Sequence, residues 1–324
     1  MELMKKFMNL LLPPILLITL FVLLPPYIVY KFIQYLLSTF SEEDLNGKVV
    51  LITGASAGIG ENLAYEYAKR GARLVLVARR ENILQVVAEK ARELGSPEVV
   101  IIAADVSKYE DCKRFVEETI DHFGRLDHLV NNAGITTFGR FQDSKTINNL
   151  TPLMNINFWG SVYPSHFAVP HLKKTRGKII VNASMTGLLP NEATKAALIN
   201  FYESLRVELG SMVKITLVCP GFTESEMTRG KHLSFGGETE VDQSKADLLI
   251  GRIPMGTARE CAEGIVKGAC RDDKYVFDSM WWRVLVLWNN LAPDIVQVVS
   301  RLLFFLNKPA RKTGTNVFPA EKPE

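Results

Sequence analysis

Cysteine is scarce and widely spaced in this chain of 324 residues. Its four cysteines, Cys112, Cys219, Cys261 and Cys270, contain no CxxC pair. That spacing predicts neither a metal site nor a disulfide framework. A reduced compartment is the simplest location for four free thiols.

An excess of charge of one sign is also lacking. The chain has 38 Lys and Arg against 35 Asp and Glu, a formal net charge of +3, and the two signs are interspersed. This balance excludes the basic surface of a nucleic-acid-binding protein, so we expect no nucleic-acid partner. With 47% hydrophobic residues, the length suffices for one large α/β domain with additions rather than two ordinary domains.

The N-terminal region lacks charge altogether over residues 7–30, which are 24 mostly apolar positions. That length permits a membrane span. Two Pro-Pro pairs, at positions 13–14 and 25–26, are expected to interrupt a helix there. The piece between them, residues 15–24, would make about 15 Å of helix, which is too short for a hydrocarbon core of about 30 Å.

We therefore predict that residues 1–40 form a hydrophobic anchor, either a kinked span or a shallow hairpin, at a membrane or lipid-droplet surface. A cleaved signal peptide is the competing interpretation, and the segment is long with no small-x-small site before the folded part. Residues 41–46 have the composition of a short polar linker.

The stretch 49–60 has the pattern of a phosphate-binding turn. Four apolar residues, 49–52, predict a strand buried on both faces of a parallel sheet. Gly54, Gly58 and Gly60 follow, and glycine allows a sharp turn and a close approach of the backbone to a ligand. The amide groups that open the next helix would favour an anion such as a pyrophosphate. An ordinary strand-to-helix turn gives the same glycine pattern, so the interpretation depends on the rest of the chain.

Apolar runs alternate with helical patterns from residue 47 onward. Further strands are predicted at 74–77, 99–102, 126–130, 178–181, 215–219 and 274–277, and helices at 61–70, 81–94 and 258–270. This alternation predicts an α/β fold for residues 47–278, a Rossmann-type doubly wound parallel sheet.

Arg79 and Arg80 come directly after the second predicted strand. An NAD site would place an acidic residue near this point to hold the ribose 2′-hydroxyl. Two guanidinium groups instead suit a 2′-phosphate, so the pair favours NADP over NAD. A solvated basic turn is the alternative.

Polar and small side chains follow the next two strands. Asp105, followed by Val106, could hydrogen-bond an adenine or cap the next helix. In residues 131–134, Asn-Asn-Ala-Gly, the amide side chains can tie neighbouring strands together beside the cofactor ribose. His128 is expected to pack at the domain surface rather than to act in catalysis.

Four motifs in this order resemble the short-chain dehydrogenase/reductase family: Thr53-Gly-x-x-x-Gly-x-Gly60, Asp105, residues 131–134, and Pro220-Gly221. The resemblance covers about residues 47–275. The N-terminal segment, the arginine pair and the run at 195–209 are similar to the plant steroleosins, hydroxysteroid dehydrogenases held at oil bodies by a proline-bearing segment. The resemblance implies hydride transfer between NADP(H) and a sterol-like alcohol or ketone, at a lipid droplet or the endoplasmic reticulum membrane.

The same resemblance implies the roles of individual residues. Ser184 would hold the substrate oxygen, Asn157 would support a water chain, and Lys195 would lower the pKa of a Tyr one helical turn before it. Thr223 would contact the nicotinamide carboxamide. The cofactor-binding residues expected in this way are Gly54, Ser56, Ala57, Gly58, Ile59, Gly60, Arg79, Arg80, Asp105, Val106, Asn132, Ala133, Gly134, Lys195 and Thr223.

The chain departs from the family at the Tyr. Asn191 stands four residues before Lys195, and no Tyr occurs between Tyr163 and Tyr202. The spacing from Ser184 is shorter than in the family, as if a short segment ending at the Tyr were missing; a true isoform, a splice product and a gene-model error would all give this sequence. Tyr202 lies seven residues past Lys195, about 10 Å along a helix, and cannot replace the Tyr that is expected before Lys195.

An amide cannot exchange the proton as a phenol can, and loss of a general acid–base typically costs about 10²–10⁴ in rate. We therefore expect retained NADPH binding and weak or absent dehydrogenase activity. The alternative function is that of a catalytically incompetent cofactor- or lipid-binding protein of the droplet surface.

The C-terminal third is less regular. Residues 224–254 are polar and glycine-bearing, and we expect either a mobile lid over the substrate or an ordinary surface loop. Residues 279–306 are apolar and Trp-rich; a homodimer surface, a substrate entrance, a lipid contact and core packing all fit this composition. Residues 307–324 have the composition of a disordered tail.

Overall fold

The computed structural model describes residues 1–39, 42–138, 146–189, 192–234, 236–244, 247 and 255–306. The chain divides into two compact units, Met1–Asp44 and Leu45–Glu324. The tail at 307–324, predicted to be disordered, lies outside the described residues, as do Pro190 and Asn191.

The first unit consists mainly of one helix, α1, Glu2–Thr39, which contains both proline pairs. The prediction that the prolines interrupt the helix or turn it into a hairpin is wrong. A proline removes one hydrogen bond from the helix, but the bonds on either side can continue the ladder. Within α1, Glu2–Gln34 is long and apolar enough to cross a membrane, with a mean hydropathy of 2.4. Its length and composition fit a membrane anchor and also a signal sequence.

The second unit is built on a seven-stranded sheet. Its strands are β1 Val49–Thr53, β2 Arg73–Ala78, β3 Val99–Ala103, β4 His128–Asn131, β5 Lys178–Asn182, β6 Lys214–Cys219 and β9 Tyr275–Phe277. They lie in the order β3-β2-β1-β4-β5-β6-β9, and every neighbouring pair is parallel. The predicted Rossmann-type sheet is confirmed. The strand order reverses beside β1, and in such sheets ligands bind at that reversal, outside the carboxyl ends of the strands.

Helices cover both faces of this sheet. They are α2 Gly58–Lys69, α3 Glu81–Glu93, α4 Tyr109–Phe123, α5 Thr151–Met154, α6 Gly160–Thr175, α7 Ala193–Leu209, α8 Ala258–Cys270, α9 Met280–Leu291 and α10 Pro293–Leu306. A π-helical turn, Asn155–Trp159, joins α5 to α6.

Two hydrophobic cores lie on opposite faces of the sheet, and β1 contributes to both. Val49 and Leu51 belong to one core, whereas Val50 and Ile52 belong to the other. Successive side chains of a strand point to opposite faces, so a continuous apolar run is what a strand covered on both sides requires. The unbroken run in the sequence is explained by this double burial.

The structure corrects two smaller expectations. The region predicted to be irregular contains an antiparallel pair, β7 Lys231–Leu233 and β8 Thr239–Val241, while residues 235, 245–246 and 248–254 lie outside the described part. His128 is not at the surface: it is fully buried, and its Nδ1 lies 3.1 Å from the Tyr67 hydroxyl. β4 lies in the middle of the sheet and is covered on both faces, so even its first residue, His128, is buried.

The Trp-rich region forms α9 and α10. Trp282 is buried against Gly221 and Phe222, so this one tryptophan is a core residue. Trp281 and Trp288 are about half exposed. The interpretations as a dimer surface, substrate entrance or lipid contact therefore apply to the outer side chains only.

Candidate cofactor and catalytic site

The carboxyl ends of β1 to β5 border one cleft. Most of the predicted cofactor-binding residues line it: Gly54, Ser56, Ala57, Gly58, Ile59, Gly60, Arg79, Arg80, Asp105, Val106, Asn132, Ala133 and Gly134. Lys195 and Thr223 are the two predicted residues that are not among its lining. The cofactor role of each residue stays a prediction.

The glycine-rich turn has no room for side chains at two positions. At Gly54, which has φ +67°, a Cβ would lie 2.8 Å from the Ala133 Cα. At Gly60 a Cβ would lie 2.2 Å from the Gly54 carbonyl oxygen and 2.4 Å from the Asn132 Nδ2. These contacts are shorter than any Cβ can tolerate, so glycine is needed for the turn to close onto the end of β4.

The helix that follows this turn begins at the cleft, and no side chain caps its first amides. α2 begins at Gly58, and its N-cap is Ala57, whose side chain offers no acceptor. The first amides of a helix have no partner within the helix, and together with the helix dipole they favour an anion. This end of α2 has the chemistry of a pyrophosphate site.

Asn132 ties the ends of three strands together. Its Nδ2 donates to the carbonyl oxygens of Thr53 and Gly54, at 3.0 and 3.3 Å, and its Oδ1 accepts from the Nδ2 of Asn182 at 2.8 Å. The Asn182 Oδ1 is buried with no hydrogen-bond partner among the described residues. Because Asn182 lines the cleft, a donor group on a bound ligand could satisfy that oxygen. Asn182 was missed by the sequence analysis, since its partner lies 50 residues away.

Arg80 is paired within the cleft. Its Nη2 donates to the Ser56 Oγ at 3.1 Å, and its Nη1 lies 2.7 Å from the Glu226 Oε1. The other carboxylate oxygen of Glu226 lies 2.7 Å from the Lys231 Nζ. Burial acts to raise the pKa of Glu226, but hydrogen bonds from Arg80 and Lys231 outweigh it and the pKa is lowered. Neither Glu226 nor Lys231 was identified from the sequence.

Asp105 shapes the turn after β3. Its Oδ1 accepts from the backbone amide and hydroxyl of Ser107, at 3.0 and 2.8 Å. It does not cap the next helix, because the N-cap of α4 is Lys108. Of the two expectations for Asp105, the helix cap is wrong, and the adenine contact stays a prediction for a carboxylate that lines the cleft.

Asn157 lies on the π-helical turn and is fully buried. Its Oδ1 accepts from the Ile135 amide at 2.8 Å, and its Nδ2 donates to the Ile135 carbonyl oxygen at 2.9 Å. These two bonds fix the loop after β4, which forms one wall of the cleft. π-helical turns occur frequently at functional sites, since the extra residue re-aims a side chain.

Lys195 lies in the first turn of α7, and its Nζ donates to the Asn182 carbonyl oxygen at 3.0 Å. It is close to the cleft wall: a Cβ on Gly134 would lie 3.5 Å from that Nζ. Burial lowers the pKa of Lys195, although the nearby Glu192 and Cys219 act in the opposite direction.

Ser184 is joined to Asn157 through Glu192. The Ser184 Oγ accepts from the Thr186 amide at 3.1 Å, and the two hydroxyl oxygens are 2.8 Å apart. The Thr186 hydroxyl donates to the Glu192 Oε2 at 3.0 Å. The Glu192 Oε1 accepts from Thr194 and Asn157, at 3.0 and 3.2 Å. Glu192 is the N-cap of α7 and follows Asn191, the residue at the expected Tyr position, which lies outside the described residues.

Tyr202 is in the core, away from the cleft lining. Its hydroxyl donates to the Ser161 carbonyl oxygen at 2.7 Å, lies 2.7 Å from the Ser165 Oγ and accepts from the Asn131 Nδ2 at 3.0 Å. Burial raises its pKa. Thr223 is also buried, and its carbonyl oxygen accepts from the Thr228 hydroxyl at 3.1 Å.

Comparison with known proteins identifies the family. The profile described as "short chain dehydrogenase" matches residues 48–233, more than half of the chain. The chain belongs to the short-chain dehydrogenase family. The resemblance stated from the four sequence motifs is thereby confirmed.

Curated relatives of this short-chain dehydrogenase carry hydroxysteroid names. The chain is 49% identical over 320 residues to "11-beta-hydroxysteroid dehydrogenase A" of Arachis hypogaea, covering 97% of this chain and 91% of the relative. It is 49% identical over 310 residues to "11-beta-hydroxysteroid dehydrogenase 1A" of Arabidopsis thaliana, covering 94% and 89%. The chain is therefore a hydroxysteroid dehydrogenase-like member of the family.

Solved structures share the fold. One is a short chain dehydrogenase/reductase from Burkholderia phymatum in complex with NAD, with a TM-score of 0.69 and 24% identity over 78% of this chain and 96% of that chain. Another is an alcohol dehydrogenase from Thermococcus sibiricus complexed with 5-hydroxy-NADP, with a TM-score of 0.56 and 27% identity over 68% and 89%. These neighbours bind nicotinamide dinucleotides of both kinds.

Proposed function

We propose that this short-chain dehydrogenase is an NADP-dependent, hydroxysteroid dehydrogenase-like oxidoreductase of a membrane or lipid-droplet surface. Its substrate class is a lipophilic, sterol-like secondary alcohol or ketone. The observation that carries the proposal is the joining of two features in one cleft: the closed glycine turn at the start of α2 and the arginine pair at the end of β2. A pyrophosphate and a 2′-phosphate fit these two positions.

Different residues around the cleft would bind different parts of the dinucleotide. The amides from Gly58 to Gly60 would hold the pyrophosphate, Arg79 and Arg80 the 2′-phosphate, and Asp105 with Val106 the adenine. Residues 132–134 and Lys195 would contact the nicotinamide ribose, and Thr223 the carboxamide. When bound, the dinucleotide supplies the acceptor or donor of the hydride.

The catalytic half of the proposal rests on Ser184, Asn157 and Lys195. Ser184 orients the substrate oxygen, Lys195 provides positive charge, and Asn157 holds the wall beside them. Because Asn191 stands where a Tyr is expected, the chain lacks the phenol that would exchange the substrate proton, and its turnover is impaired. A second function follows from the same residue: a cofactor- or lipid-binding protein of the droplet surface without competent catalysis.

Equilibrium binding tests the cofactor. NADP⁺ and NAD⁺ are titrated into the full chain by calorimetry, with Arg79→Met as the variant and Arg259→Met, an exposed arginine on α8, as the matched control. We expect R79M to weaken NADP⁺ binding about tenfold, as for one charged hydrogen bond, with NAD⁺ binding unchanged. Equal losses for both dinucleotides would contradict the assignment of the arginine pair to the 2′-phosphate.

Turnover separates the two functions. NADPH formation is followed with an 11β-hydroxysteroid, the alcohol class that the relatives' names state, for this chain and for a version with a Tyr-containing segment restored before Lys195. An impaired enzyme is slow and gains activity on restoration. Turnover of this chain at an ordinary enzyme rate would refute the impairment, and the transcript across positions 190–191 shows whether such a segment is missing.

The surface assignment rests on α1. Flotation of the tagged full chain with lipid droplets or microsomes tests it, and protease protection distinguishes a span from a shallow insertion. A span with Lys5 and Lys6 in the cytosol would place the catalytic unit in the lumen. The exposed Trp281 and Trp288 suit a homodimer contact, which sedimentation of the detergent-solubilised chain would detect.

A further inference from the structure

Arg80, at the proposed 2′-phosphate position, is already paired with a carboxylate of the chain, that of Glu226. Glu226 bridges two cations: one carboxylate oxygen lies 2.7 Å from the Arg80 Nη1 and the other lies 2.7 Å from the Lys231 Nζ. All three side chains line the cleft. A carboxylate shared between a guanidinium and an ammonium group has the same contacts that a phosphate would make there.

The three residues come from different parts of the fold. Arg80 follows β2, whereas Glu226 lies in the turn before β7 and Lys231 begins β7. The turn closes over the glycine-rich segment, since a Cβ on Gly58 would lie 3.3 Å from the Ser225 Cβ. The Glu226 contacts therefore join the two walls of the cleft above the phosphate-binding turn.

β7 is tied to the loop that follows β4. The Leu233 amide donates to the Thr136 carbonyl oxygen at 2.8 Å, and the Thr137 hydroxyl donates to the Leu233 carbonyl oxygen at 2.8 Å. β7 also pairs with β8. The Lys231 amide donates to the Glu226 carbonyl oxygen at 3.0 Å, so the two backbones stay together. The Glu226 side chain is about half exposed and can rotate away from Arg80 while Lys231 stays at the cleft.

We propose that Glu226 occupies the 2′-phosphate site in the free protein, and that Lys231 is a third cation of that site, so that both residues determine specificity for 2′-phosphorylated dinucleotides. The inference rests on the proposed function, because it takes NADP(H) as the ligand. The choice between NADP and NAD then depends on the segment after β6 as well as on the arginine pair.

Exchange of the carboxylate for a phosphate is physically favourable. The side chains of Arg80, Glu226 and Lys231 are 39%, 43% and 36% exposed, and ion pairs at such exposure are weak. A phosphate group carries more charge than a carboxylate and can displace it from both cations. The 2′-hydroxyl of NAD is neutral and cannot, so Glu226 remains on Arg80 and the extra cations give NAD no benefit.

Calorimetric titration of the full chain with NADP⁺ and NAD⁺ tests this. The variants are Glu226→Gln, Lys231→Met and the double variant. Glu240→Gln is the matched control, since Glu240 is an exposed carboxylate on β8 outside the cleft lining. We expect E226Q to tighten NADP⁺ binding about fivefold to tenfold by removing the competing anion, and NAD⁺ binding to change by less than about twofold.

The double variant separates two roles for Lys231. If Lys231 contacts the phosphate, the double variant binds NADP⁺ more weakly than E226Q alone. If Lys231 only holds Glu226, the two bind equally, and the assignment of a third cation is overturned. Adenosine 2′-phosphate and adenosine 5′-phosphate, titrated in parallel, should reproduce the effect of E226Q for the first nucleotide only.

The outcomes distinguish this inference from the proposed function. NADP⁺ binding by the unaltered chain with no change in E226Q, or with an equal change in E240Q, overturns the role of Glu226 and leaves the proposed function standing. Absence of NADP⁺ binding by the folded, unaltered chain overturns the proposed function and this inference with it. Thermal unfolding of each variant shows that the fold is retained.

Discussion

The Thr186 hydroxyl lies 3.0 Å from the Glu192 carboxylate, and the same oxygen lies 2.8 Å from the Ser184 hydroxyl. A hydroxyl group has one hydrogen, and a carboxylate can only accept. The single Thr186 hydrogen can therefore go to Glu192 or to the Ser184 oxygen, but not to both at once. Ser184, Thr186 and Glu192 therefore form a continuous polar path, which ends directly after Asn191, the position where the family resemblance implies a Tyr.

Residual turnover should depend on Glu192. If Asn191 leaves the site without a phenol, as proposed above, this carboxylate is the proton acceptor that the described hydrogen bonds connect to Ser184. We expect Glu192→Gln to lower kcat for an 11β-hydroxysteroid by about 10²-fold, the usual effect of losing a positioned base, with the NADPH dissociation constant unchanged. Steady-state rates and NADPH binding are measured on the same preparations.

Glu208→Gln is the matched control for this prediction, because Glu208 is exposed on the same helix, α7. A kcat that falls equally in both variants, or in neither, would exclude Glu192 as the acceptor. Thr186→Ser should keep the rate and Thr186→Val should lose it, because only serine preserves the hydroxyl between Ser184 and Glu192.

Substitution of Gly60 by Ala should abolish dinucleotide binding and destabilise the fold. The added Cβ would lie 2.2 Å from the Gly54 carbonyl oxygen, so the turn must open. Overpacking of this kind typically costs about 1–3 kcal/mol of unfolding free energy. Gly264→Ala on α8 is the control: its Cβ meets nothing within 4 Å, and in an exposed helix alanine stabilises by about 0.5–1 kcal/mol. Urea unfolding and NADPH binding measure both effects, and a G60A variant that binds NADPH normally would refute the tight turn.

Tyr202→Phe should affect stability alone. The lost hydroxyl leaves the Asn131 Nδ2 and the Ser165 hydroxyl with one partner fewer in the core, which we expect to cost about 1–3 kcal/mol. NADPH affinity and any turnover should not change, because the hydroxyl is buried away from the cleft lining. A selective loss of turnover in Y202F, with normal stability, would instead make Tyr202 the substitute for the missing Tyr.

The fold was predictable because its signals are local. Continuous apolar runs such as 49–52 occur where a strand is covered on both faces. The glycines at 54, 58 and 60 are required by the backbone conformation and close contacts of one turn. The arginine pair could be placed at the cleft for the same reason, since it follows a predicted strand directly.

The contacts that complete the site were not predictable, because they join residues far apart in the chain. Glu226 is 146 residues from Arg80, and neither its charge nor its sequence neighbours indicate that it belongs to the site. Asn182 is 50 residues from Asn132 and closes a strand that the sequence shows only as apolar. The prediction for α1 failed for another reason. Proline weakens a helix locally, but the hydrogen bonds on either side of each pair keep α1 continuous.

Stability should depend on pH through Lys195. Burial lowers its pKa, so in the folded state it loses its proton at a lower pH than in the unfolded chain, where the value is about 10.4. Between these two values the unfolded state binds more protons, and stability therefore rises with pH. Below the lowered value the charged ammonium is held in a buried site at a cost to stability.

We expect Lys195→Met to remove this slope. The variant has no proton to lose, so its unfolding free energy should rise less steeply with pH than that of the unaltered chain, over the range from the lowered pKa of Lys195 up to about pH 10. Cys219 titrates with the opposite sign, since burial raises its pKa to about 12, but it is present in both proteins and its direct contribution is shared. Urea unfolding at a series of pH values gives the two slopes. Parallel slopes would mean that Lys195 keeps its proton in the folded state throughout this range, held by Glu192, and that burial does not control its charge.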